Sequence, residues 1–181
     1  MKETIRSPEH DTPLISASEI QARVAEMGRE ISADYSGRRL SVAIILKGAF
    51  IFASDLLRQL DSDLDVEIDF VRASSYGDDI VSSGHVLLEG PNPELVSGND
   101  VLIIEDVVDT GRTLSALIRR VESMKPRTVE IAALLSKDRE PNAPTVRYIG
   151  FHVPDVFVVG YGLDYAQNYR HLPDIRVPTT R

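Results

Sequence analysis

No cysteine occurs anywhere in the 181 residues, which excludes disulfide frameworks, thiolate metal sites and cysteine nucleophiles and permits a reducing compartment without requiring one. No uninterrupted apolar stretch is long enough to span a bilayer, and the opening MKETIRSPEHDTP has no apolar run that would serve as a signal peptide. A cytoplasmic location, with no membrane partner, is therefore expected. Positive charge is also scarce. Lys and Arg number 20 against 28 Asp and Glu, for a net charge of −8, so a general nucleic-acid or membrane surface is not expected. A small polyanion can still be held by backbone amides. Two common phosphate motifs are missing as well: no G-x-x-x-x-G-K-[ST] occurs, and Gly160-Tyr161-Gly162 lacks the third glycine of a dinucleotide fingerprint.

What is present suits one ordinary core: 43% of residues are hydrophobic and 27% charged, and residues 1–181 are expected to form a single domain. The first 15 residues are polar, with two prolines, and read as an arm lying on the surface or against a partner subunit. Ser16 followed by Glu19 reads as a capping box, and Ile20, Val24, Met27 and Ile31 then recur at helical spacing up to Ser36 and Gly37. Short β-branched runs follow, starting at Ser41, Val66, Val101, Val129 and Val156, and runs of this kind predict strands buried on both faces. Helical patterns lie between them, near Ala49 to Leu60 and through Leu114, Leu117, Ile118 and Val121 up to Pro126. This alternation predicts an α/β fold, a mostly parallel twisted sheet with helices on both faces. Residues 74–84, SSYGDDIVSSG, carry too little apolar mass for a core and read as a mobile loop, and EGPNPELVSGND from Glu89 reads as a turn-rich connection.

The richest segment is VLIIEDVVDTGRTLSALIRR from Val101. A buried strand runs into Glu105 and Asp106, then into Asp109, Thr110, Gly111, Arg112 and Thr113, then into an amphipathic helix. Ligands of open α/β sheets bind at the carboxyl ends of strands, where the next helix offers unpaired N–H groups to an anion. Gly111 allows close backbone approach, and the Thr110 and Thr113 hydroxyls add donors. Carboxylates beside a phosphate need another task; ribose hydroxyls or a magnesium ion supply it. A solvated acidic turn is the plain alternative, and the full pattern is more specific than that.

The pattern matches the phosphoribosyl diphosphate (PRPP) loop of type I phosphoribosyltransferases. Four segments in order, Leu46-Lys47-Gly48, Ser75-Tyr76-Gly77, the cradle and VPDVFVVGYGLDYAQNYRHLPDI, resemble the hypoxanthine-guanine phosphoribosyltransferase family from about Ile15 onward. The resemblance implies a small hood formed by the terminal segments over the sheet. It implies a cis Leu46–Lys47 peptide and pyrophosphate binding by Lys47, Gly48 and Arg170, with Ser75 and Tyr76 in a closing loop. Residues 109–113 would hold the 5′-phosphate, and Glu105 and Asp106 the ribose. The purine base would meet Lys137, Phe157, Val158 and Asp164, with Mg²⁺ held by Asp164, Glu105 and Asp106. Lys137 donates to a 6-oxo group and offers nothing to a 6-amino group; Phe157 offers a stacking face.

The implied reaction is purine salvage: transfer of 5-phosphoribose from PRPP to hypoxanthine or guanine, giving IMP or GMP and pyrophosphate. Asp109 would be the general base or acid at N7. A homodimer or homotetramer is implied too. The rivals are a xanthine- or pyrimidine-preferring transferase, a nucleic-acid-binding regulator on the same fold, and a phospho-acceptor signalling domain. The net charge of −8 weighs against the regulator, and the Thr-Gly-Arg-Thr cradle is superfluous for the signalling domain. Arg112 stands where some relatives carry Lys, which keeps charge but alters geometry, and Asp78 and Asp79 make the loop unusually acidic.

Overall fold

The computed structural model describes residues 13–75, 86–137 and 144–178. Its first element, α1 (Ala17–Tyr35), starts at the expected capping box: Ser16 Oγ accepts from the Glu19 amide while the Glu19 carboxylate accepts from the Ser16 amide. Strand β1 (Arg39–Leu46) leads into α2 (Phe50–Leu57), and β2 (Asp65–Ser75) into β3 (Val86–Glu89). A short helix, α3 (Pro93–Val96), precedes β4 (Asp100–Val108) and α4 (Arg112–Ser123); β5 (Thr128–Ser136) and β6 (Tyr148–His152) complete the sheet.

The strand order is β3-β2-β1-β4-β5-β6. All neighbours are parallel except β3, which runs antiparallel to β2. Because side chains alternate along a strand, the sheet feeds two cores. Leu40, Val42, Ile44, Leu102 and Ile104 pack under α1 and α2 with Ile20, Met27 and Phe52. Ala43, Ile45, Val101 and Ile103 face the other way, under α4, with Leu114, Leu117 and Val121. The predicted layering is therefore observed, and it leaves the carboxyl ends of β1 and β4 on one rim of the sheet.

Three sequence expectations are corrected. The run at Val156 is not a sheet strand; the strand in that region is β6, YIGFH, paired with β5. Val156 to Gly160 instead folds back, with Val159 and Arg176 exchanging backbone hydrogen bonds and Ile15 bridging Ile175. Apolar residues there serve the hood formed by the terminal segments, whose burial a sequence pattern cannot distinguish from a strand's. Next, β2 extends through Ser74 and Ser75, placed there by pairing with β3; Tyr76 and the rest of the expected loop lie outside the described residues, as do residues 1–12 of the expected arm. Finally, β2 is not buried on both faces, since Ile68 is 46% and Phe70 53% exposed.

Candidate active site

The acidic pair and the cradle sit on one rim. Glu105 and Asp106 lie near the end of β4, and five residues after Asp106 Gly111 caps α4 with φ +66. That left-handed backbone strains any side chain and explains glycine at this position. Residues 105–114 line a cleft of about 210 Å³. Thr110 and Arg112 are exposed, while Gly111 and Thr113 are half-buried, so the first N–H groups of α4 face an accessible space. Burial, then the hydrogen bond and charge of neighbouring Asp106, push the Glu105 carboxyl well above its ordinary value.

Pyrophosphate candidates come together in a second, larger cleft of about 780 Å³, lined by Leu46, Lys47, Arg72, Ala73, Glu89, Gln167 and Arg170. The Leu46–Lys47 peptide is cis. Lys47 Nζ and an Arg170 guanidinium nitrogen both approach Gln167 Oε1, at 3.5 and 3.4 Å. The Lys47-Gly48 loop sits close to both the acidic pair and the hood: a Cβ at Gly48 would overlap the Asp106 carboxylate, and one at Gly162 would overlap the Gly48 carbonyl. Glycine at both positions lets β4, the Lys47-Gly48 loop and the hood meet.

Lys137 is no surface lysine. Its side chain is 11% exposed, and Nζ lies 3.7 Å from both Asp109 Oδ2 and Asp155 Oδ1. Its amide donates to the Val108 carbonyl, so β4 and β5 carry Asp109 and Lys137 to one place. Phe157 is 53% exposed and makes an edge contact with Tyr165, ring centroids 5.9 Å apart, whereas Val158 is buried. Asp164 holds Arg170 at 2.6 Å and accepts from the Gln167 amide. Among the described residues no three Asp, Glu, His or Cys side chains converge on one metal position, so Asp164 does not join Glu105 and Asp106 in a single ligand group. Ser75 ends β2, and Tyr76 lies outside the described residues.

Sequence reading missed Arg72, Glu89, Gln167, Asp155 and Tyr165. Arg72 and Glu89 face each other across β2 and β3, a pairing hidden because residues 86–88 fall between the expected loop and the turn-rich connection that starts at Glu89. Gln167 lies in a turn where Ala166, Gln167 and Tyr169 all have positive φ, for which no glycine gives warning.

A mostly parallel α/β sheet with a glycine-capped helix, paired carboxylates and several cations on its carboxyl rim defines a protein suited to a phosphorylated ligand. The chain matches the phosphoribosyl transferase domain over residues 16–166. It is 44% identical over 165 residues to the hypoxanthine-guanine phosphoribosyltransferase of Bacillus subtilis (strain 168), covering 91% of each chain. A crystal structure of a hypoxanthine phosphoribosyltransferase from Staphylococcus aureus superposes with a TM-score of 0.87 at 37% identity, covering 97% of both chains. The bifunctional protein TilS/HprT of Listeria innocua is 48% identical over 165 residues, and there the chain spans 25% of the relative's length. The chain belongs to the phosphoribosyltransferase family, in its hypoxanthine-guanine branch.

Proposed function

We propose that the chain transfers 5-phosphoribose from PRPP to hypoxanthine or guanine, giving IMP or GMP and pyrophosphate. The observation that carries this reading is the meeting of Lys137 with Asp109 at the lip of the 105–114 cleft, which puts a donor for a 6-oxo group beside a proton acceptor. The C1′–N9 bond forms as the C1′–O bond to pyrophosphate breaks, and the purine's surplus proton leaves to Asp109 from N7. The amides of residues 110–113 hold the 5′-phosphate. Glu105 and Asp106 accept from the ribose hydroxyls. Lys47, Arg170 and the Gly48 amide take the departing pyrophosphate, with Arg72 added from the same cleft. Phe157 stacks on the base and Val158 meets its edge, while Ser75 and Tyr76 close over the site and exclude water.

Mg²⁺ fits this donor set. Two adjacent carboxylates, one pushed toward its protonated form by burial and by the other, suit a divalent cation that takes one or two carboxylates and completes its shell with substrate phosphates. When bound it supplies charge neutralisation at the pyrophosphate. Asp164, apart from that pair and beside Arg170, would add a carboxylate for a cation on the pyrophosphate side. The chain acts in the cytoplasm as a homodimer or homotetramer, supported by half-exposed Ile68 and Phe70.

The test is a panel of hypoxanthine, guanine, xanthine, adenine and uracil with PRPP and Mg²⁺, scored by pyrophosphate release. The 6-oxopurines are expected to react; turnover with adenine alone, or with uracil alone, would overturn the assignment. Asp109→Asn is expected to lower kcat by about 10²- to 10⁴-fold, the usual worth of a positioned proton-transfer group, with little change in the KM for PRPP. Unchanged turnover would remove Asp109 from the chemistry.

A further inference from the structure

Among the described residues, a buried tyrosine and its half-buried carboxylate partner stand outside the roles above. Tyr161 is 6% exposed and has φ +49 within the Gly160-Tyr161-Gly162 turn. Its hydroxyl donates to Asp55 Oδ2 at 2.6 Å. Burial, then that hydrogen bond, push the phenol well above its ordinary value, so it remains a donor at neutral pH. Asp55 lies in α2, the helix that starts directly after the Lys47-Gly48 loop, and its other oxygen engages Arg58.

On its far side the same turn carries the hood's half of the proposed pyrophosphate site. The Tyr161 amide donates to the Leu172 carbonyl, and the Gly162 amide to the Arg170 carbonyl. The Arg170 guanidinium returns to the Gly162 carbonyl at 2.6 Å and pairs with Asp164. Turn, Arg170 and Asp164 are thus one hydrogen-bonded unit. Gly162 rests on the Gly48 carbonyl, which sets how closely hood and loop approach. Contact between two glycines does not fix their sideways register, because no side chain interlocks. The Tyr161–Asp55 hydrogen bond joins the same two elements at a second point, and two points define an orientation.

We propose that Tyr161 and Asp55 are positioning residues that hold the Asp164–Arg170 turn in register with the Lys47-Gly48 loop, so that both halves of the site grip one pyrophosphate. The inference rests on the proposed pyrophosphate role of those halves. A purely stabilising pair would weaken binding of every ligand alike or none. A registering pair acts on PRPP and pyrophosphate far more than on the purine, whose contacts at Lys137, Phe157 and Val158 lie outside the Asp164–Arg170 turn.

The variants Tyr161→Phe, Asp55→Ala, their double and Asp55→Asn separate these cases. A shallow groove lies over the pair, lined by Gln21, Asp55, Arg58, Gln59 and Tyr161, so loss of the hydroxyl admits water and leaves no sealed void. Loss of a hydrogen bond to a charged group predicts a rise of about tenfold in the KM for PRPP and in the Kd for Mg²⁺-pyrophosphate, with the purine KM within about twofold. The double variant should be no worse than either single, because one interaction cannot be removed twice. Asp55→Asn keeps an oxygen acceptor and should stay within about threefold of the parent. Titration calorimetry with Mg²⁺-pyrophosphate reads the effect without turnover. Variants that bind like the parent, additive singles, or an equal rise for PRPP and purine would overturn the inference while leaving the transferase reading intact. A parent chain that binds neither PRPP nor pyrophosphate would overturn both.

Discussion

Glu105 and Asp106 sit side by side at the end of β4, and the cost of ionising both in a half-buried place falls on Glu105, whose carboxyl is pushed well above its ordinary value near 4.5. Between that value and the raised one, the folded chain holds a proton that the unfolded chain has released. Stability therefore decreases as pH rises through this window. Glu105→Gln is expected to flatten the decrease, so the thermal midpoint of the ligand-free variant should exceed the parent's increasingly as pH rises above the ordinary carboxyl value. Equal slopes for the two proteins would show that the carboxyl is not strained. The same substitution should weaken PRPP binding, because an amide donates where a ribose hydroxyl needs an acceptor. A residue of this kind was legible in sequence as an acid without an evident task. Asp155 was not: it meets Lys137 only because the chain turns after β6, and no local pattern announces that turn.

At the scale of elements, the amino ends of three strands are tied by one side chain. Asp100, at the start of β4, is fully buried and accepts from Arg127 Nε at 2.9 Å and from the Thr128 hydroxyl at 2.6 Å, with Arg38 at 3.2 Å. These partners precede or begin β1 and β5. Arg127 above all, with Thr128, holds the Asp100 carboxyl below its ordinary value of 3.8, so its contribution is present above that pH and lost as pH drops through the depressed value. Breaking a buried ion pair costs about 3 to 5 kcal/mol. Here Arg38 and Arg127 are 39% and 48% exposed and can turn to water, so Asp100→Asn should cost nearer about 2 kcal/mol. Chemical denaturation should show that loss with kcat unchanged, since the cluster lies at the rim opposite the site; a drop in kcat without loss of stability would contradict this. The central strands and α1 and α4 were legible because their apolar periods match their burial. Strands β3 and β6 were not. The first is four residues long and the second carries Gly150, and both owe their state to a neighbouring strand and not to their own pattern.

For the whole molecule, the layer formed by α1 and α2 ends short of the sheet's edge. Ile68 and Phe70 register with Val42 and Ile44 of β1 and so point to the same side, where the β1 residues are buried and the β2 residues half-exposed. Polar Glu67 and Asp69 alternate with them, so the apolar stripe belongs to one face. Phe50 at the start of α2 is also 44% exposed. Exposed apolar side chains of this sort are costly in water and suit a second subunit, whereas the net charge of −8 opposes indiscriminate association. Self-association through this stripe would press on β2, whose Arg72 and Ala73 line the pyrophosphate cleft, which links assembly to that cleft. Replacing Ile68 and Phe70 together by Asp is expected to abolish the self-association proposed above, leaving a monomer in light scattering, and to raise the KM for PRPP more than that for the purine. An unchanged mass would place the interface elsewhere, and a monomer with parental kinetics would break the link between assembly and site.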